Sequence, residues 1–226
     1  MSKKVYINPG HSDVDPGAVG YETERKLNVK TAEYMNEYLL ANYDCQTKVT
    51  GGSINSVRQV ATDANNWGAD LLVSIHNNAG GGDGYEALVY SEARKPMGRI
   101  FEKYVKAAGQ NSRGVKLRPD LGVLRLSNMP AILNEGAFVD NWNDIKDWNE
   151  DHELKKLGIA YAEATAEYLD LEKKVVEPAP APAEPATSSV LYRVQVGAYG
   201  IKANAEAMQK KLKAAGYEAI IVEVKK

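Results

Sequence analysis

Three short apolar runs in this chain end on side chains that can bind a metal or move a proton. Val5-Tyr-Ile-Asn-Pro-Gly runs into His11, Leu71-Leu-Val-Ser-Ile into His76, and Ala131-Ile-Leu-Asn into Glu135. Such runs suit strands buried on both faces, as in a parallel sheet. Ligands of open α/β sheets gather beyond the carboxyl ends of the strands, so two imidazoles and a carboxylate delivered there form a candidate site. The residue types point to hydrolysis. A catalytic zinc uses three protein ligands and keeps a position for water, and two histidines with one carboxylate are a recurrent ligand set. His11 and His76 are the expected histidine ligands, whereas His152 lies in Glu150-Asp-His-Glu, a solvated helix start, and takes no role. The third ligand has four candidates in the loop from Gly10 to Glu24, namely Asp13, Asp15, Glu22 and Glu24. Glu24 is preferred because it stands just before a helix, a short rigid attachment that can fix its direction. Glu135 then remains as a group that need not touch the metal and can take a proton from water and return it to a leaving amine.

The elements that position these residues follow from periodicity. Val29, Ala32, Met35 and Leu39 recur at helical steps from Leu27 to near Asn42. Gln46 to Thr50 reads as a short strand, and Val57, Val60, Ala61, Ala64 and Trp67 mark a helix closed by Gly68. Leu71 to Asn78 is the central strand. A glycine-rich turn leads to a strand from Tyr85 to Tyr90, and Pro96 opens a helix with the face Met97, Ile100, Phe101, Tyr104 and Ala108. Val123 to Leu126 and Ala131 to Asn134 read as two strands joined by a polar turn, and Leu154, Leu157, Tyr161, Ala164 and Tyr168 as a helix. This alternation implies an α/β fold with a mostly parallel sheet covered on both faces.

Composition narrows the function further. The 226 residues are 44% apolar and 26% charged, an ordinary globular balance, and the net charge of −2 supplies no basic field for nucleic acid. Cys45 is the only cysteine, so a metal must be held by histidine and carboxylate. No run reaches a membrane span, and Met-Ser-Lys-Lys passes straight into a strand without the apolar segment of a signal peptide, so a cytoplasmic product acting on its target after release is expected.

Asn-Pro-Gly-His11 followed by Asp15-Pro-Gly-Ala-Val-Gly, then Glu24, Ser74-Ile-His76-Asn-Asn-Ala, and Pro130-Ala-Ile-Leu-Asn-Glu135-Gly-Ala-Phe-Val-Asp-Asn resemble the zinc-dependent N-acetylmuramoyl-L-alanine amidases of the Amidase_3 family. The resemblance covers residues 3 to 170. It implies His11, Glu24 and His76 as ligands of one Zn2+ and Glu135 as the catalytic glutamate. It further implies a phosphorylase/hydrolase-like sheet of about six strands and peptidoglycan as the substrate, cut between muramic acid and L-alanine by an endolysin or autolysin. Ser12-Asp13 departs from the glycine-rich sequence frequent in the family, which affects the loop more than the ligands. An inactive wall-binding protein, or a zinc peptidase acting on the stem peptide, are the readings of other classes. Asn77, Asn78 and Arg125 have structural explanations at least as simple as functional ones, as do Trp67, Trp142 and Trp148.

The sequence divides into a catalytic part over 1–172, a linker over 173–189 rich in proline and alanine, and a tail over 190–226. The tail reads as a β-α-β unit: a strand in Tyr192-Arg-Val-Gln-Val-Gly-Ala-Tyr, a helix over Ala203 to Ala215, and a strand over Tyr217 to Val224. It is similar to one half of a SPOR cell-wall-binding repeat. A lone half buries little surface, so a homodimer that pairs two tails is the expectation.

Overall fold

The computed structural model describes residues 2–54, 56–174, 195–214 and 217–224. The chain divides into two compact units, Met1–Val175 and Val176–Lys226. The first unit contains, in chain order, β1 (Lys3–Pro9), α1 (Glu24–Asn42), β2 (Cys45–Val49), α2 (Val57–Trp67), β3 (Leu71–Asn78), β4 (Tyr85–Val89), α3 (Lys95–Ala108), β5 (Ser112–Leu117), α4 (Gly122–Arg125), β6 (Ala131–Phe138), α5 (Trp142–Ile145) and α6 (Asp151–Leu169). The six strands form one sheet in the order β2-β1-β3-β6-β4-β5. Strands β2, β1, β3 and β6 run parallel, β4 is antiparallel to β6, and β5 is parallel to β4. The carboxyl ends of β1, β3 and β6 therefore share an edge with the amino ends of β4 and β5.

The helices form where the apolar spacing requires them. Leu27, Thr31, Ala32, Met35 and Leu39 give α1 one buried stripe, and the Ser56 hydroxyl caps α2 by accepting from the Gln59 N–H at 3.2 Å. On one face of the sheet α1, α3 and α6 cover a core built on Val5, Ile7, Val73, Ile75 and Ile132, with Phe101, Leu157 and Tyr161 from the helices. On the other face the core is smaller. It joins Tyr6, Leu72, Leu88 and Leu133 to Val60 and Ala64 of α2 and to Val123 and Leu124 of α4.

Two sequence expectations change here. Val123 to Leu126 is not a strand; Gly122–Arg125 is a helical turn with Val123 and Leu124 both buried. A short apolar run carries no period of its own, and β6 already has β3 and β4 as neighbours, so the segment packs as a cap over the sheet. The sixth strand is β5, whose Ser-Arg-Gly-Val-Lys-Leu sequence hides its pattern behind a glycine and two charges.

In the second unit the described helix is α7 (Lys202–Ala214). Residues 195–199 and 217–224 form no strand, which corrects the β-α-β reading over the described residues. A strand needs a hydrogen-bonded partner, and these segments have none among the described residues; Val196, Ile220 and Val224 are exposed. Most of the Pro/Ala-rich linker lies outside the described residues.

Helix α6 is tied to α1 by one carboxylate. Glu163 accepts from the Tyr38 hydroxyl at 2.6 Å and from the Tyr43 hydroxyl at 2.7 Å. The hydrogen bond to Glu163 lifts the Tyr38 phenol to about 12, and burial followed by the same bond pushes Tyr43 higher still. Glu163→Ala strands two phenols and should lower stability by about 1–3 kcal/mol in urea unfolding. Because both phenols hold their protons more tightly in the folded state, their contribution is complete below the ordinary tyrosine pKa of about 10. It is lost as pH rises through the folded value, so the alkaline fall in wild-type stability should be shallower in the variant.

Candidate metal centre

The site lies at the shared sheet edge. His11 follows β1, His76 is the sixth residue of β3, Glu24 opens α1, and Glu135 stands beside His76 in the β3–β6 register. His11 reaches its position through a left-handed backbone, φ +69°, which β-strand geometry would not permit.

Glu24 is the hub. Its side chain is 6% exposed, and each oxygen meets donors. Oε1 accepts from His76 Nδ1 at 2.8 Å and the Asn77 N–H at 3.2 Å, with Asn28 Nδ2 at 3.5 Å. Oε2 accepts from His11 Nε2 at 3.0 Å and the Ala18 N–H at 2.9 Å. Burial works against the Glu24 charge, but the hydrogen bonds from His11 and His76 outweigh it and hold the carboxyl far below its usual range. The bond to Glu24 likewise lifts His11 to about 9 against the opposing effect of burial, with Asp15 adding to the rise.

His11, Glu24 and His76 each offer one ligand atom, and these atoms lie within 4.8 Å of one another. Two imidazole nitrogens and a carboxylate oxygen form a donor set suited to a first-row divalent ion. The space around the set is kept by glycines. A Cβ on Gly17, whose φ is +69°, would lie 2.5 Å from His11 Cδ2 and 2.6 Å from Glu24 Oε2. A Cβ on Gly10 would lie 2.1 Å from His76 Cε1. The residues therefore fit a bound ion.

Of the four loop candidates for the third position, Glu24 is the one brought to both histidines. Asp15 supports the group from outside, accepting from His11 Nδ1 at 2.9 Å, an outer carboxylate of the kind that orients metal-binding histidines. Asp13 faces Arg25, and Glu22 pairs with Lys26. His152 lies apart beside Glu153.

Sequence reasoning missed Asn28. It is fully buried on α1, donates toward Gly10 O at 3.4 Å and accepts from Asn77 Nδ2 at 2.9 Å. Its signal was a polar residue one step past Leu27 on the buried stripe. Asn77 also accepts from the Ala137 N–H at 3.0 Å, so it ties α1, β3 and β6 together, while Asn78 accepts from the next backbone N–H and shapes the turn. Arg125 is exposed at the end of α4.

Glu135 differs sharply from Glu24. Its Oε2 is buried and has no hydrogen-bond partner among the described residues. Burial pushes its carboxyl up to about 7; His76 pulls it down, and the charges of Glu24 and Glu86 push it up. Beside the site runs a cleft of about 220 Å³, floored by Asn8 and Ser74 and walled by Ile54, Val57, Leu121 and Val123. A larger hollow of about 360 Å³ shares no residue with the site, and the Asp144 carboxylate in it is occupied by the Gly84 and Phe138 N–H groups and by Gln110.

An α/β sheet that carries two histidines, a buried carboxylate and a neighbouring carboxyl at its edge gives a hydrolase-type site with a donor set that could hold a metal ion. Residues 5–167 match the family described as N-acetylmuramoyl-L-alanine amidase, and the chain belongs to that family. Residues 161–226 match the SPOR domain. The chain is 31% identical over 227 residues to the sporulation-specific N-acetylmuramoyl-L-alanine amidase of Bacillus subtilis, covering 97% of this chain and 84% of the relative. It is 33% identical over 187 residues to the endolysin of Bacillus phage SPP1, covering 77% and 69%. Among solved structures, the catalytic domain of an N-acetylmuramoyl-L-alanine amidase from Bacillus (Paenibacillus) polymyxa superposes with a TM-score of 0.71 at 27% identity, covering 75% of this chain and 99% of that one. Among the described residues, no helix is long and apolar enough to cross a membrane.

The glycine cradle gives a direct check. Gly17→Ala adds a methyl group in the ligand space at a strained φ and should weaken divalent-metal binding at least about tenfold. Equilibrium dialysis with metal analysis measures this, and Asn77→Ala should lower affinity by about tenfold to a hundredfold by releasing Asn28 and removing the acceptor of the Ala137 N–H.

Proposed function

We propose that the chain is a zinc-dependent amidase of peptidoglycan. It hydrolyses the amide between the lactyl group of muramic acid and the L-alanine of the stem peptide. The observation that carries this reading is the juxtaposition of His11, Glu24 and His76, with ligand atoms within 4.8 Å of one another, and the unpartnered buried oxygen of Glu135 beside His76. Membership of the amidase family supports the substrate. Zinc held by His11, Glu24 and His76 would supply Lewis acidity, polarising the scissile carbonyl and acidifying water.

The remaining work falls to the chain's own residues. Asp15 and Asn77 hold His11 and Glu24 in orientation. Glu135 removes the proton of the attacking water, whose oxygen bonds to the lactyl carbonyl carbon. The carbon–nitrogen bond then breaks, and Glu135 returns that proton to the L-alanine nitrogen. The products are a free lactyl carboxylate on the glycan and a stem peptide with a new amino terminus.

The SPOR match supports retention on the wall by the tail over 190–226, joined to the catalytic part over 1–172 by the linker over 173–189. Pairing of two tails is favoured by the exposed Val196, Ile220 and Val224 on segments that have no strand partner among the described residues. Sedimentation velocity over a concentration series should show a dimer that deletion of 190–226 abolishes.

Digestion of purified peptidoglycan tests the activity. Zinc-loaded protein should release stem peptides that begin with L-alanine, identified by mass, and Glu135→Gln should lower the rate about a hundredfold to ten-thousandfold while retaining zinc. Release of free amino acids would indicate a peptidase, and binding without release a wall-binding protein.

A further inference from the structure

Beyond Glu135, the same sheet edge carries a cationic cluster that the reaction does not use. Glu86 lies directly opposite Glu135 in the β4–β6 ladder. It follows the alternation of Leu88 on the face that also carries Leu133, so the Glu86 and Glu135 side chains are neighbours on that face. Glu86 is 6% exposed, and its Oε1 accepts from both Arg113 Nε and Lys116 Nζ of β5.

The placement of Arg113 is specific. The β4–β5 register shifts between Tyr85 and Ala87, where Arg113 and Gly114 together oppose the single residue Glu86. Gly114 has a φ of +87°, as expected at a bulge that re-aims a side chain. Without the extra residue, Arg113 and Lys116 would fall on opposite faces; with it they converge on Glu86. The Arg113 guanidinium also lies over the Phe138 ring, 5.2 Å from its centroid, at the end of β6. Anchored through Nε and one face, Arg113 has both terminal nitrogens without a hydrogen-bond partner among the described residues, and its side chain is 41% exposed. Two cations share one carboxylate, so the cluster keeps a net positive charge. A planar fork held in this way suits a carboxylate.

The direction of the substrate follows from the order of strands, on the amidase reading given above. The ligands stand on β1, β3 and α1, Glu135 on β6, and the cations on β5, two strands further along. Glu135 must reach the leaving nitrogen, so the peptide side of the bond extends from the metal toward β4 and β5. In peptidoglycan the residue after L-alanine is a glutamate joined through its side chain, which leaves its α-carboxyl free or amidated. That carboxyl lies about one residue, roughly 4–7 Å, beyond the scissile nitrogen; the β5 backbone is two strand spacings, about 10 Å, from Glu135, and the Arg113 and Lys116 side chains reach back across one of them to Glu86.

We propose that Arg113 and Lys116, set by Glu86 and Phe138 beside Glu135, form the subsite for the free α-carboxylate of the second stem-peptide residue. Glu86 acts as a positioning residue, since it reaches substrate only through Arg113 and Lys116.

The test compares two soluble glycan fragments that differ in one group, bearing either L-alanyl-γ-D-glutamyl stems or their α-amides. With the zinc-loaded full chain, kcat/KM should favour the free acid about tenfold to a hundredfold, the scale of charge-assisted hydrogen bonds. Arg113→Gln should erase that preference by raising KM for the acid, and Arg113→Lys should keep part of it. Equal cleavage of acid and amide by the wild-type chain would overturn the subsite without any variant, as would a preference that survives Arg113→Gln. Cleavage of neither fragment, together with no release of L-alanyl peptides from whole peptidoglycan, would instead overturn the amidase reading.

Discussion

A buried carboxylate shared by two imidazoles is the constraint on which this structure depends. An ionised carboxyl removed from water costs several kcal/mol unless donors surround it. Glu24 meets that cost with His11 from the end of β1, His76 and Asn77 from β3, Ala18 from the long loop and Asn28 from its own helix. Satisfying one charge thus fixes the mutual position of two strands, a loop and a helix. The left-handed backbone of His11 and the bare Cα atoms of Gly10 and Gly17 are the local conditions for that convergence. The geometry that satisfies Glu24 also brings one donor atom from each of His11, Glu24 and His76 within 4.8 Å of one another.

Two carboxyl groups at this edge have opposite characters, and environment separates them. Glu24 is held ionised by the donors around it, whereas Glu135, buried without a partner for Oε2, is pushed up to about 7. The ionised carboxyl suits the ligand role proposed for Glu24, and the raised one suits the proton transfer proposed for Glu135. Glu86 adds a third case: burial opposes its charge, but Lys116 and Arg113 hold its carboxyl below the usual range. A row of charged side chains runs across the sheet from His76 through Glu135 and Glu86 to Arg113 and Lys116.

The two faces of the sheet explain why this row remains accessible. Helices α1, α3 and α6 cover one face fully. On the other, α2 and the short α4 cover Tyr6, Leu72, Leu88 and Leu133, whereas His76 and Glu135, further along the same face of β3 and β6, are only partly buried. The segment over Val123 to Leu126 belongs to this argument, because as a helical turn it caps the apolar part of the face and walls the cleft beside His76.

Much of the site was legible in the sequence because side chains at the ends of apolar runs have few places to go. His11, His76 and Glu135 were visible from that position alone, and Glu24 from its rigid attachment to a helix, since strand and helix boundaries depend on local patterning. The sequence favours Glu24 without excluding Asp13, Asp15 or Glu22, because the path of the loop decides which carboxylate meets the histidines. Asn28 is silent in the sequence, and Asn77 is visible there without a role, for the same reason: a buried amide has meaning only through partners distant in sequence. β5 shows no alternating pattern in the sequence, and Val123 to Leu126 and the tail segments carry strand-like runs without strand pairing among the described residues, because strand character belongs to a pair and not to a run of residues. Local periodicity is written along the chain, whereas pairing, burial and the convergence of charges are relations between segments, and only the tertiary structure decides them.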